Sequence, residues 1–175
     1  MTLSNTRRKP HIGWCATVVC ALCLVACGSS PEAEYYRLTP TPGSATTAPL
    51  DIALAIGPAQ FPRTLARNQI VTRSGDNGIN VNQYQRWSAP LEDEFLQVLG
   101  DNIASELQAD RIAVYPGAAA FPLDYRVRLD VLQFDGVPGD SVTLRARWTI
   151  APPTGEALAV GSFDRSQQTA AGDSS

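Results

Sequence analysis

The chain has 175 residues, a formal net charge of −3, one histidine and four cysteines. His11, Lys9 and all the cysteines lie at or before position 27, so everything beyond is free of His, Lys and Cys. That inventory excludes Ser-His-Asp and Cys-His nucleophiles, Schiff-base lysines and most zinc, copper or haem ligation, so neither metal nor cofactor is expected.

Arg7, Arg8 and Lys9 form a positive start, Ile12 to Ala26 an apolar run, and Leu24-Val25-Ala26 bring small residues up to Cys27. This is the three-zone pattern of a secretory signal peptide over 1–26. The apolar run of 15 residues falls short of the roughly 20 that a membrane-spanning helix needs. Lys9-Pro10-His11 after the arginine pair favours ordinary secretion over twin-arginine export. Leu24-Val25-Ala26-Cys27 resembles a bacterial lipobox, which implies that Cys27 is acylated and heads the mature chain. Two or three acyl chains, palmitate among them, hold a protein stably because each buried CH₂ contributes about 0.8 kcal/mol. Gly28, where an Asp would resemble an inner-membrane retention signal, points to the outer membrane and a periplasm-facing domain.

Removing 26 of the 175 residues leaves 149, enough for one domain. With Cys15, Cys20 and Cys23 gone and Cys27 lipidated, that domain is expected to hold no disulfide. Its eleven arginines face seventeen acids, a net of about −6, which argues against nucleic acid as a partner.

Residues 27–34 read as a lipidated tether, 35–165 as a single α/β domain and 166–175 as a polar tail. Tyr35 to Leu38 is a candidate first strand, followed by an irregular, proline-bearing connection from Thr39. Ile52 to Ile56 is continuously apolar and closed by Gly57-Pro58, the mark of a central strand buried on both faces. Phe61 to Arg67 suits a short helical turn; Gln69 to Arg73 and Ile79 to Asn82 suit two strands joined at Asn77-Gly78. Ser88 is placed as the N-cap of a helix whose Leu91, Phe95, Val98, Leu99, Ile103 and Leu107 share one face. Ile112 to Tyr115 then reads as a strand, so that the helix makes a crossover packed on the sheet.

Tyr125, Val127, Leu129 and Val131 alternate with polar residues, as do Val142, Leu144, Ala146, Trp148 and Ile150. Asp135 to Asp140 between them supplies turn residues, so an antiparallel hairpin is expected, with a bulge at Leu132 to Phe134. Pro152 to Gly155 is the next turn and Ala157 to Phe163 the last strand. The fold class is therefore α/β: a mixed sheet with one long amphipathic helix packed on it.

Gly75-Asp76-Asn77-Gly78 lacks the spacing of a phosphate-binding loop and reads as a hairpin turn. Glu92, Asp93 and Glu94 could form an acid–base pair as in glycoside hydrolysis, but acids at a helix start oppose the helix dipole, which explains them without catalysis. Arg86 and Trp87 stand before the helix, as partner anchors or, for Trp87, as a hydrophobic staple. Arg126, Arg128, Arg145 and Arg147 share the polar phase of the long strands, either as a basic stripe for an acidic partner or lipid phosphates or as a solvated face paired with local acids.

Taken together, Tyr35-Tyr36-Arg37-Leu38, Ile56-Gly57-Pro58 with Phe61-Pro62, Leu65 to Arg73, Arg86-Trp87-Ser88-Ala89-Pro90-Leu91 and Arg147 to Ile150 resemble the PqiC/YmbA family of auxiliary transport lipoproteins. The resemblance implies a non-catalytic outer-membrane lipoprotein that joins an intermembrane lipid transport system and docks onto the tunnel of an MCE-domain partner. It leaves homo-oligomerisation open. A stand-alone periplasmic lipoprotein that holds a lipid or peptide itself is the alternative, and it requires an enclosed apolar cavity. Family members continue into a C-terminal amphipathic helix, whereas Gln167 to Ser175 is polar and small. That helix is expected to be missing, by truncation or with its place taken by a partner.

Overall fold

The computed structural model describes residues 31–41, 43 and 48–169. The chain divides into Met1–Glu32 and the compact unit Ala33–Ser175. The expected signal peptide, lipobox and Cys27 lie outside the described residues, as does the end of the expected tail from residue 170.

Eight strands form one mixed sheet: β1 (Glu34–Tyr36), β2 (Ala53–Gln60), β3 (Gln69–Ser74), β4 (Gly78–Trp87), β5 (Arg111–Val114), β6 (Tyr125–Val137), β7 (Ser141–Ala151) and β8 (Ala159–Gln168). A 3-10 turn, Arg63–Leu65, sits where a short helical turn is predicted, and α1 spans Leu91–Leu107. The α/β class with one helix on a mixed sheet is what the described residues show.

Strand β6 organises the sheet. One of its edges pairs with β7 from Arg126↔Ala151 to Val137↔Ser141. The other is shared end to end: its first half runs parallel to β2, and Gly136 near its finish bridges Thr72 of β3. Beyond β2 lies β5, beyond β3 lie β4 and β1, and beyond β7 lies β8 as an outer edge. The ladder between β6 and β7 shifts register between Val131 and Gln133, so Leu132 is the extra residue of the expected bulge.

Several boundaries differ from the sequence reading for local reasons. The first strand covers Glu34–Tyr36 and stops before Leu38, whose N–H is taken by the Glu94 carboxylate at 3.0 Å. Strand β2 does not end at Gly57-Pro58. Gly57 adopts φ +102, a conformation L side chains avoid, and the register against β6 shifts between Ile56 and Ala59, so the interruption is absorbed as an irregularity. Strand β8 continues through Gln168, paired with Ser141, so residues 166–168 of the expected tail belong to the sheet.

Ser88 is not the N-cap. Pro90 holds that position without a side-chain cap, and the Ser88 hydroxyl instead donates to Glu94. The helix therefore starts later relative to Trp87 than the staple requires. The buried seam of α1 keeps Leu91, Leu99, Ile103 and Leu107 of the expected face but centres on two residues outside it: Leu96, fully buried against Leu54, Ile56 and Ala59, and Gly100. A Cβ on Gly100 would lie 2.6 Å from Val114 Cγ2, so this glycine sets how closely α1 approaches β5.

Residues paired across a ladder share a face of the sheet. Val127, Leu129 and Val131 therefore face the same way as Ile150, Trp148 and Ala146, and as Phe163 beyond them. This is the side of α1, because Val127 and Leu129 pack on the Leu96 cluster. A second cluster of Leu65, Val71 and Leu91 gathers Trp87 and Phe134 around it. The helix packs chiefly on β2 and β5. The β7–β8 half of the same face is left open, where Trp148 lies over Gly161 and Phe163 is 41% exposed.

Candidate functional site

The four arginines of the long strands do assemble. Arg126 stands opposite Ala151, Arg128 opposite Thr149, Arg147 opposite Asp130 and Arg145 opposite Gln133, all on the face away from α1 and all exposed. Acids break the stripe: Asp130 is the cross-strand neighbour of Arg147, and Arg145 Nε meets Asp164 Oδ2 at 3.2 Å. An ion pair this exposed contributes little to stability. Arg126, Arg128 and Arg147 form no ion pair among the described residues.

Arg86 and Trp87 are not part of that stripe. Arg86 lies between Tyr35 of β1 and Gln69 of β3, and its Nε donates to the Gln83 carbonyl at 3.1 Å. Trp87 is half-buried and stacks on Phe134 with ring centroids 6.3 Å apart. Phe134 meets Phe95 of α1 edge-on at 6.1 Å, and Phe95 meets Phe61 at 5.4 Å. Trp87 thus belongs to an aromatic chain that fixes the helix start on the sheet. The acids of that start are placed structurally as well: Glu94 accepts from Leu38 N and the Ser88 hydroxyl, while Glu92 and Asp93 share the first turn with it. Among the described residues no group of His, Cys, Asp and Glu is arranged to hold a metal ion, and no helix is long and apolar enough to cross a membrane.

Three features were not legible in the sequence. On the arginine face a recess of about 500 Å³ opens between Ala55, Ala113, Phe121, Leu123, Arg126 and Pro153. On the helix face a groove of about 350 Å³ runs between Ile103 and Leu107 of α1 and Trp148 and Ile150 of β7. At the β1 edge, Tyr36 donates to Glu34 Oε2 at 2.6 Å and Gln85 Nε2 reaches the same oxygen at 3.4 Å. The Tyr36 hydroxyl first, and Gln85 second, hold the Glu34 carboxyl below its ordinary range, and the same Glu34 bond pushes the Tyr36 hydroxyl up. Each feature joins residues distant along the chain, so no local pattern announces it.

Among the described residues the fold is a mixed sheet carrying one helix, with an open arginine face and an uncovered apolar flank. Residues 36–175 match the family described as the ABC-type transport auxiliary lipoprotein component, and the chain belongs to that family. This is the PqiC/YmbA type of lipoprotein, the family that the sequence blocks resemble. Two solved structures are similar in fold. The crystal structure of protein XCC0632 from Xanthomonas campestris, family DUF330, has a TM-score of 0.63 at 17% identity, covering 81% of this chain and 81% of that one. A crystal structure of an uncharacterized protein has a TM-score of 0.62 at 19% identity, covering 79% of this chain and 81% of that one. No curated protein matches the chain.

Proposed function

We propose that this auxiliary transport lipoprotein is a non-catalytic, outer-membrane component of an intermembrane lipid transport system, anchored through Cys27 and docking onto an MCE-domain partner. The observation that carries the reading is the family match over residues 36–175, joined to the lipobox-like Leu24-Val25-Ala26-Cys27 ahead of that domain. The open faces of the sheet support it, because a docking component needs interaction surface more than an internal cavity. The recesses at Arg126 and beside Trp148 open to the surface, whereas a stand-alone carrier requires an enclosed apolar cavity for a whole lipid or peptide. Arg128 and Arg147, and the apolar groove beside Trp148, are the surfaces offered to the partner.

The test has two arms. Labelled palmitate is expected to enter the wild-type chain and not Cys27→Ser, with the wild type fractionating with the outer membrane. An MCE protein is expected to co-purify, and deletion of the gene with its genomic neighbours to raise outer-membrane permeability. An unlabelled wild type removes the anchor; unchanged permeability with no MCE protein recovered removes the transport role.

A further inference from the structure

We propose that the recess on the arginine face is a binding site for a small anionic amphiphile, with its carboxylate or phosphate head on Arg126 and its apolar body against Phe121 and Leu123. This is independent of the transport role, and only the format of its test uses the proposed lipid anchor.

The register builds the recess. Ala113 of β5, Ala55 of β2 and Arg126 of β6 stand side by side across three neighbouring strands. Their neighbours along β2 and β5, Leu54, Ile56, Ile112 and Val114, pack towards α1, so these three point the other way. Two alanines leave the sheet floor low. The connection between β5 and β6 raises Phe121 and Leu123 as one wall, and Pro153 from the β7–β8 connection lines another part of the recess. A volume of about 500 Å³ lies within the roughly 300–1,000 Å³ of small-molecule sites.

The lining dictates the ligand class. Arg126 is the one charged residue around the recess, and it forms no ion pair among the described residues. The nearby acid, Asp124, holds the Ala53 N–H at 2.8 Å. Arg128 follows on the same face of β6 and adds positive potential. A guanidinium beside apolar walls matches a ligand with one anionic head and an apolar body. A bare anion would leave the walls wet, and a neutral body would leave the guanidinium without a partner.

The test uses the full-length lipidated chain in phosphatidylcholine nanodiscs, with empty discs as the blank, in equilibrium dialysis against octanoate, octyl phosphate, octanol and inorganic phosphate. Saturable binding of octanoate or octyl phosphate at one per chain is expected, and the ratio of the two identifies the preferred head. Octanol and inorganic phosphate are expected to bind at least about ten-fold more weakly, since a charge-assisted hydrogen bond contributes about that factor. Arg126→Gln, at an exposed position, should weaken both amphiphiles about ten-fold and leave octanol unchanged. Ala119→Trp, in the connection lining the recess, should abolish saturable binding. An unchanged unfolding midpoint in both variants establishes that the fold is intact. Octanoate and octyl phosphate uptake equal to empty discs, uptake indifferent to both variants, or inorganic phosphate binding as tightly as octyl phosphate would each overturn the proposal.

Discussion

At the scale of single residues, the informative positions are those where one atom more or less changes the answer. Gly100 sits inside a helix, where alanine would ordinarily be better by about 1 kcal/mol. Here the added methyl meets Val114 Cγ2, a short, half-buried branch with little freedom to retreat. Overpacking costs about 1–3 kcal/mol, so Gly100→Ala should destabilise by up to about 2 kcal/mol net. Val114→Ala in the same chain should recover part of that loss, giving a coupling that a double-mutant cycle in denaturant reads directly. Additive effects would mean that α1 and β5 do not meet at this pair.

Glu34 and Tyr36 give a residue-scale pH prediction. The Glu34 carboxyl is held below its ordinary 4.5, so its contribution is present above that value and is lost as pH falls through the lowered one. The Tyr36 hydroxyl is raised above its ordinary 10.0, so the contribution is present below that value and is lost as pH rises through the raised one. Docking of β1 should therefore be firm between these limits and loosen outside them. The reporter is the Ser88 amide, which donates to the Tyr36 carbonyl at 2.7 Å. Its exchange protection should fall in acid below pH 4.5 in the wild type, and Glu34→Gln should remove that acid dependence.

Elements pose a different question, because a strand is right or wrong as a whole. Leu132 is the extra residue between Val131 and Gln133, and it is 39% exposed. Truncating it to alanine should cost less than about 1 kcal/mol, since little packing is lost. Deleting it should be far worse. A one-residue slip sends every later side chain of β6 to the other face, and Phe134 would leave both Trp87 and Phe95. The contrast between Leu132→Ala and the deletion, read as unfolding midpoints, tests whether the bulge is part of the register. The alternation that exposed this phase shift also made the β6–β7 hairpin and the arginine face legible in the sequence. The extension of β8 past Phe163 carries no sequence signal because Asp164 to Gln168 is polar on both faces, as an outer edge strand permits. The extension of β4 past Asn82 was hidden in the same way by Gln83, Gln85 and Arg86. Ser88 is drawn off the cap position because its hydroxyl donates to the Glu94 carboxylate instead of accepting from a helix N–H. The recess around Arg126 was invisible because its walls come from β2, β5, β6 and two connections.

For the whole molecule, the sheet is unevenly covered. The unit from Ala33 onwards has no cysteine with which to clip its edges. Its cohesion rests on packing, and the packing is lopsided: Ile56, Leu96 and Val131 are fully buried around β2, α1 and β6, whereas Leu158 is 65% and Val160 71% exposed at the β8 side. Local opening free energies follow buried apolar contact, so amide exchange should be slowest in β2 and β6 and progressively faster through β7 to β8. Strand β8 is also the edge, with one row of backbone groups facing no strand among the described residues. A protein with this gradient is most easily stabilised from outside at its open flank. A partner seated on the Trp148 groove should slow exchange in β7 and β8 while leaving β2 almost unchanged, because β2 is already covered by α1. Uniform protection along all strands in the isolated chain would show that the flank is closed by something other than the described residues.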